Sequence, residues 1–128
     1  MSLPEKNRPD QPKNSLPSYN VDTLRSFDKE LKRLKKKYPS LKAEYQKLIK
    51  SLAESPTQGK PLGDDCYKVR LAIASKGKGK SGGGRVITCV KIVRQTVYLL
   101  TIYDKSEYEI IPDSVIQELA QSVVNKPQ

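Results

Sequence analysis

Residues 66–103 read CYKVRLAIASKGKGKSGGGRVITCVKIVRQTVYLLTIY, and this stretch decides the fold. From residue 67 to 73 every second residue is apolar, which is typical of a strand that buries one face. After a loop rich in glycine and lysine, residues 85–93 are apolar on both faces, and a short turn leads into residues 96–103. The stretch therefore predicts three consecutive strands of an antiparallel meander, with residues 85–93 central in the sheet.

Upstream of this stretch the apolar residues recur at spacings of three and four, as on one face of a helix. One stripe predicts a helix over residues 24–38, which Asp22 or Thr23 is placed to cap. A second stripe predicts a helix over residues 41–52, which Ser40 is placed to cap. A proline separates the two, so we expect an α-hairpin. Residues 55–65, which hold two prolines and two glycines, are predicted to be a linker between the hairpin and the sheet.

Short elements are predicted at both ends of the domain. Residues 17–21 form a brief first strand, and Pro112 or Asp113 opens a C-terminal helix. The predicted fold class is α+β, with the N-terminal strand and the α-hairpin packed on a small antiparallel sheet in the order β-α-α-β-β-β-α. The residues of the last helix that are expected to face inward are Val115, Ile116, Leu119 and Val123.

A chain of 128 residues is long enough for one compact core. Residues 1–17 hold four of the nine prolines and no periodic apolar pattern, so we expect a disordered lead-in. Residues 18–124 are expected to form a single domain, followed by a tail over residues 125–128. No apolar run approaches the ~18 residues of a membrane span, and the first residues do not resemble a signal peptide. These features predict a cytoplasmic protein without a membrane partner.

Charge is the first functional signal, because 24 Lys and Arg against 14 Asp and Glu give a net charge of +10. Such a field attracts phosphate backbones, anionic membrane surfaces or an acidic protein partner, and composition does not choose among them. The lysines of residues 29–37 are interpreted as a solvated helix face that also attracts phosphate. Between residues 66 and 105 the only acid is Asp104. The nine cations there are Lys68, Arg70, Lys76, Lys78, Lys80, Arg85, Lys91, Arg94 and Lys105, a local balance of +8.

The sequence lacks the side chains that several kinds of chemistry require. The chain has no histidine and only Cys66 and Cys89, which excludes a four-ligand Cys/His zinc site and any His-dependent nucleophile set. Paired carboxylates are missing from the predicted sheet, which argues against glycosidase or two-metal nuclease chemistry. No cofactor or metal is expected. The two cysteines are interpreted as small buried thiols rather than a disulfide.

The loop over residues 74–81, Ala-Ser-Lys-Gly-Lys-Gly-Lys-Ser, satisfies a loose nucleotide-binding pattern. A phosphate-binding loop of that type must feed the N-terminus of a helix, whereas a β-branched run follows here, so ATP binding is not expected. We interpret Lys76, Lys78 and Lys80 as RNA-binding residues, since glycines let neighbouring ammonium groups settle on successive phosphates. The alternative is a solvated hairpin tip.

Lys, Arg and Tyr remain as the chemical groups of the predicted sheet. They suit RNA cleavage by the neighbouring 2′-hydroxyl, in which the enzyme orients the sugar and stabilises a charged transition state. A lysine crowded by other cations has a lowered pKa and can transfer a proton. Strand alternation makes Lys68 and Arg70 point the same way. Tyr108, just beyond the last predicted strand, is the best candidate for base stacking.

Four short segments, taken in order, resemble toxins of the RelE/ParE superfamily over roughly residues 19–124. They are SFDKELKRL (26–34), YKVRLA (67–72), GKGKSGGGRVI (77–87) and IYDKS (102–106). The basic glycine loop is most similar to the HigB-type branch. The resemblance implies the toxin of a type II toxin-antitoxin pair, which cuts mRNA in the ribosomal decoding site, needs no metal and is silenced by a protein antitoxin.

The resemblance also implies site residues. Lys68 and Arg70 match the basic pair on the strand after the α-hairpin, and Arg85 matches the arginine that opens the next strand. Lys105 stands near the position of a late catalytic arginine, and Tyr108 stands for a C-terminal tyrosine. These five residues are the candidates for catalysis.

Two alternatives stay open, because the segment around Lys105 departs from the family pattern. ParE-type members share the fold but inhibit DNA gyrase by binding. A nuclease-inactive member would only bind its antitoxin or operator DNA. The resemblance implies the antitoxin and ribosome-bound mRNA as partners, and operator DNA only for the complex with antitoxin.

Overall fold

Five strands form one sheet in the computed structural model, which describes residues 18–76, 83–108 and 110–124. β4 lies in the middle of the order β1-β5-β4-β3-β2 and is buried along nearly its whole length. The prediction of a central third strand is therefore confirmed. The strands are β1 (Asn20–Thr23), β2 (Lys60–Gly63), β3 (Cys66–Leu71), β4 (Gly84–Lys91) and β5 (Thr96–Asp104).

The sheet is mixed, so the prediction of an antiparallel sheet is wrong at one edge. β1 runs parallel to β5, with Asn20 opposite Thr96, whereas the three other strand pairs are antiparallel. The predicted first strand over residues 17–21 begins only at Asn20. A strand of four residues carries no pattern that reveals its partner or its direction, and its partner β5 is distant in sequence.

β2 lies in a segment, residues 55–65, that the sequence predicts as a linker. Asp64 and Asp65 adopt the left-handed region, with φ of 52° and 63°, and they turn the chain into β3. Pro61 is tolerated because β2 is an edge strand, where one side of the backbone needs no partner. Proline and glycine conceal this strand in the sequence because both are rare in strand interiors.

The α-hairpin consists of α1 (Arg25–Lys37) and α2 (Leu41–Glu54), as predicted. The cap predicted for α1 is wrong: the residue before α1 is Leu24, and Asp22 Oδ1 instead accepts a hydrogen bond from Thr23 N at 2.8 Å. Ser40 does precede α2, but its hydroxyl pairs with the Glu44 carboxylate at 3.0 Å rather than with helix backbone. The hairpin buries Phe27, Leu31, Leu34, Leu41, Leu48 and Leu52 against the sheet.

The C-terminal helix, α3 (Asp113–Val124), joins a second hydrophobic cluster. Ile116 and Val123 are buried in it and Leu119 packs against it, but Val115 is 38% exposed, contrary to the prediction that it faces inward. Cys66 and Cys89 lie in this cluster as free buried thiols, as predicted, and they face each other across β3 and β4.

The α-hairpin therefore covers one face of the sheet, and α3 packs against the other face. No helix in the described parts of the chain is long and apolar enough to cross a membrane. The predicted lead-in, residues 1–17, and the predicted tail, residues 125–128, lie outside the described residues.

Candidate functional site

A cleft of about 690 Å³ opens beside β2, β3 and β4. Val69 and Leu71 of β3 belong to the cluster under the α-hairpin, so strand alternation places Lys68 and Arg70 on the other face of the sheet. None of the described residues that line the cleft is acidic. They are Gln58, Gly59, Lys60, Lys68, Val69, Arg70, Arg85 and Lys105.

The register of the sheet brings two arginines together at the centre of this cleft. Arg70 of β3 is directly opposite Arg85 of β4, and Arg85 is in turn opposite Tyr103 of β5. Arg85 is only 6% exposed, and its Nη1 donates a hydrogen bond to the Gly84 carbonyl at 3.0 Å. Like charges that face each other across strands are destabilising, so this arrangement favours binding of an anion.

The cleft lowers the proton affinity of Lys68. Burial lowers the pKa of its ammonium, and the neighbouring charges of Lys60, Arg85, Lys105 and Arg70 lower that pKa further. Both causes destabilise the charged form. Lys68 is therefore easier to deprotonate than an ordinary lysine, as a group that transfers protons requires.

Four of the five residues predicted to act in catalysis come together in the cleft, namely Lys68, Arg70, Arg85 and Lys105. Tyr108 is not among the lining residues. It is 53% exposed and meets the buried ring of Tyr103 edge-on, with 6.4 Å between ring centroids. The catalytic roles of all five predicted residues stay predictions.

Sequence reasoning missed Lys60 and Gln58. Both belong to the segment predicted as a linker, where no periodic pattern indicated a strand. Lys60 is the register partner of Lys68 in the β2–β3 pair, and this pairing brings a fifth cation to the cleft. No signal within the linker itself distinguishes Lys60 from a solvated lysine.

The prediction that Lys76 is a loop residue available to RNA phosphates is wrong. Its side chain is only 6% exposed, and its ammonium pairs with the buried carboxylate of Asp104. The ammonium also lies 3.3 Å from Ser106 Oγ and 5.5 Å from the ring centroid of Tyr38. Lys76 is held by protein groups because the chain enters a 3₁₀ turn, Ala74–Lys76, before the glycine loop.

The glycine-lysine segment joins two strands, since β3 precedes it and β4 begins at Gly84. The prediction that it feeds a strand rather than a helix is confirmed. The positions of Lys78 and Lys80 lie outside the described residues, so their predicted contact with RNA stays a prediction.

The fold that holds this cleft is similar to those of solved toxin structures. A mutant of the E. coli toxin RelE in the free state matches with a TM-score of 0.58 and 21% identity, over 83% of this chain and 98% of that one. The E. coli RelBE toxin-antitoxin complex gives 0.53 and 22% identity, over 68% and 96%. The chain has the RelE toxin fold.

A RelE-like fold is also shared with the RelBE2 toxin-antitoxin complex of Mycobacterium tuberculosis, with a TM-score of 0.51 and 18% identity, over 70% of this chain and 94% of that one. No family model matches the sequence. Placement in the HigB-type branch stays a prediction. In this chain, the basic cleft lies between β2 and the turn after β5.

Proposed function

We propose that this chain is the toxin of a type II toxin-antitoxin pair and that it cuts mRNA on the ribosome without a metal ion. The observation that carries the proposal is the cleft, which combines five cations with no acidic lining residue among those described. The RelE fold supports it, because the proteins with which the chain shares that fold are described as toxins or toxin-antitoxin complexes. Such a protein acts in the cytoplasm.

In the proposed reaction, a 2′-hydroxyl of the RNA attacks the adjacent phosphorus, and the 5′-oxygen of the next nucleotide leaves. Lys68 takes the 2′-hydroxyl proton, since its pKa is lowered by burial and by surrounding cations. Arg70 and Arg85 face each other and stabilise the charge that develops on the phosphoryl oxygens. The leaving 5′-oxygen takes a proton from water, and Lys68 afterwards releases its proton to solvent. The products are a 2′,3′-cyclic phosphate and a 5′-hydroxyl, and deoxyribose does not react.

Lys60 and Lys105 lie at the two sides of the cleft, on β2 and just after β5. We assign them to the phosphates that flank the scissile bond, where they position RNA without reading any base. Tyr108 offers an exposed ring for stacking of a nucleobase. Lys78 and Lys80 are expected to add phosphate contacts.

The proposal is tested by mapping RNA ends after brief expression in cells, with the double variant Arg70→Ala/Arg85→Ala as control. We expect cuts within translated messages for the wild type and none for the variant. Purified protein that has been treated with EDTA and then freed of it should cut mRNA on ribosomes as well as untreated protein. DNA damage without message cuts would indicate a ParE-like gyrase inhibitor, and the absence of both would indicate a nuclease-inactive binding member.

An antitoxin is the proposed protein partner. An acidic or amphipathic segment suits the basic cleft, and binding there or along the α-hairpin would hide the RNA site. Operator DNA is expected to bind only to the toxin-antitoxin complex. Co-expression with the neighbouring reading frame should rescue growth and yield a co-purifying complex. Two proteins that are equally tolerated and separate freely would contradict this partner.

A further inference from the structure

Asp104, the last residue of β5, is fully buried and is the only buried carboxylate among the described residues. It accepts hydrogen bonds from the Tyr38 hydroxyl and from the Lys76 ammonium. It also accepts bonds from Ser106, whose backbone N lies at 2.9 Å and whose Oγ lies at 2.7 Å. A second cation, the Lys37 ammonium, lies 3.7 Å from Asp104 Oδ2. Three separate segments of the chain thus meet at one carboxylate.

The same residue organises the turn that follows β5. Its carbonyl oxygen accepts hydrogen bonds from the backbone N of Glu107 at 2.9 Å and of Tyr108 at 3.1 Å. Within this turn the backbone N–H of Lys105 donates a hydrogen bond to the Gly83 carbonyl oxygen, with 3.0 Å between N and O. The side chain of Lys105 lines the cleft. The turn over residues 104–108 therefore carries two candidate site residues, and Asp104 bonds it from inside through both backbone and side chain.

The carboxylate stays ionised although it is buried. Burial by itself raises the pKa of the Asp104 carboxyl, but hydrogen bonds from Lys76, Tyr38 and Ser106 outweigh burial and hold that pKa below its usual range. A buried ion pair contributes little net stability, because desolvation offsets the attraction. Its consequence here is geometric, since one charge fixes the start of the turn to the hairpin and to the 3₁₀ turn.

We propose that Asp104 is a positioning residue, which holds the turn over residues 104–108 so that Lys105 stands at the edge of the cleft. The inference rests on the proposed nuclease function and names a residue of that site that does not touch RNA. Asp104 belongs to the face of β5 toward the hairpin, and the next residue, Lys105, reaches the opposite face. Loss of the carboxylate therefore displaces Lys105 without removing any cation from the cleft.

The test compares Asp104→Asn with Asp28→Asn, an equal change of charge at an exposed position on the first turn of α1. The first measurement is single-turnover cleavage of mRNA on ribosomes at saturating protein, normalised to folded protein. Because a displacement of about 1 Å can slow catalysis by up to 10²-fold, we expect Asp104→Asn to be about 10-fold to 100-fold slower with little change in ribosome affinity. Asp28→Asn should match the wild type.

Tyr38→Phe separates positioning from stability. This variant removes one donor to Asp104 but leaves Ser106 and Lys76, so we expect a lower melting temperature and a nearly unchanged cleavage rate per folded molecule. If the rate instead falls in proportion to stability in both Tyr38→Phe and Asp104→Asn, Asp104 is structural only and the inference is overturned.

A second readout does not depend on cleavage. In nuclear magnetic resonance spectra, the backbone amide signals of Ser106 and Tyr108 should shift in Asp104→Asn and stay in place in Asp28→Asn. A wild-type protein that leaves ribosome-bound mRNA uncut would refute the proposed function, and these amide signals would then decide alone whether Asp104 positions the turn. Unchanged signals in Asp104→Asn would overturn the inference.

Discussion

Arg70 and Arg85 are placed directly opposite each other on β3 and β4, although like charges in that arrangement destabilise a sheet. Arg70 is exposed, so its removal costs little packing. We therefore expect Arg70→Ala to keep or raise the melting temperature while lowering the cleavage rate on ribosomes by a factor on the order of 10² to 10³. Lys36→Ala, on the exposed face of α1, is the control and should leave both quantities unchanged. A fully active Arg70→Ala protein would remove Arg70 from the proposed chemistry.

The proton affinity of Lys68 can be tested through its neighbour Lys60. Burial lowers the pKa of Lys68, and Lys60 makes the largest contribution among the surrounding charges. Removing that charge by Lys60→Met should raise the pKa of Lys68. If Lys68 accepts the 2′-hydroxyl proton in its neutral form, the cleavage rate rises with pH toward that pKa. The rise should then move to higher pH in Lys60→Met but not in Lys60→Arg, measured as single-turnover rate against pH. Superimposable profiles of the wild type and Lys60→Met would show that another group sets the pH dependence.

At the scale of elements, the edge strand β2 reaches the cleft through a tight approach at Gly59. This glycine has φ of 101°, and a Cβ there would lie 2.6 Å from the Lys68 carbonyl oxygen. Gly63 has φ of 93° but has open space around its would-be Cβ. Both alanine variants strain the backbone, but only Gly59→Ala also pushes β3 away from β2. We expect Gly59→Ala to lower the free energy of unfolding by more than Gly63→Ala, which should cost about 1–2 kcal/mol. Chemical denaturation measures this difference, and equal losses would contradict the close approach.

The elements that sequence reasoning identified are those with a repeating pattern. The stripe of α1 and α2, the alternation of β3 and the two-sided apolar run of β4 each carry their own period, which predicts type and burial together. β2 has no such period, because a proline and a glycine occupy half of its four positions. The same holds for the candidate site. Lys68, Arg70 and Arg85 were identified because they lie on strands with a periodic pattern, whereas Lys60 was missed because β2 has none. The burial of Lys76 depends on Asp104, a residue distant in sequence, and no local pattern encodes that contact.

For the whole molecule, the net charge of +10 raises the question of which cations bind RNA and which only keep the protein soluble. A single-stranded RNA that contacts Z cations loses affinity with salt at a logarithmic slope of about −0.7 per contact. If the five cleft cations make the contacts, the slope should be about −3.5, far less steep than the total charge implies.

Lys60→Gln should then reduce the slope by about 0.7. Lys36→Gln should change the slope much less, because Lys36 lies on the exposed face of α1, outside the cleft, where it attracts phosphate without a fixed contact. Binding of an RNA oligonucleotide with 2′-deoxyribose at every position prone to cleavage, measured at several salt concentrations, gives both slopes. A reduction of equal size in both variants would mean that α1 binds the RNA backbone as well, so that the interface extends beyond the cleft.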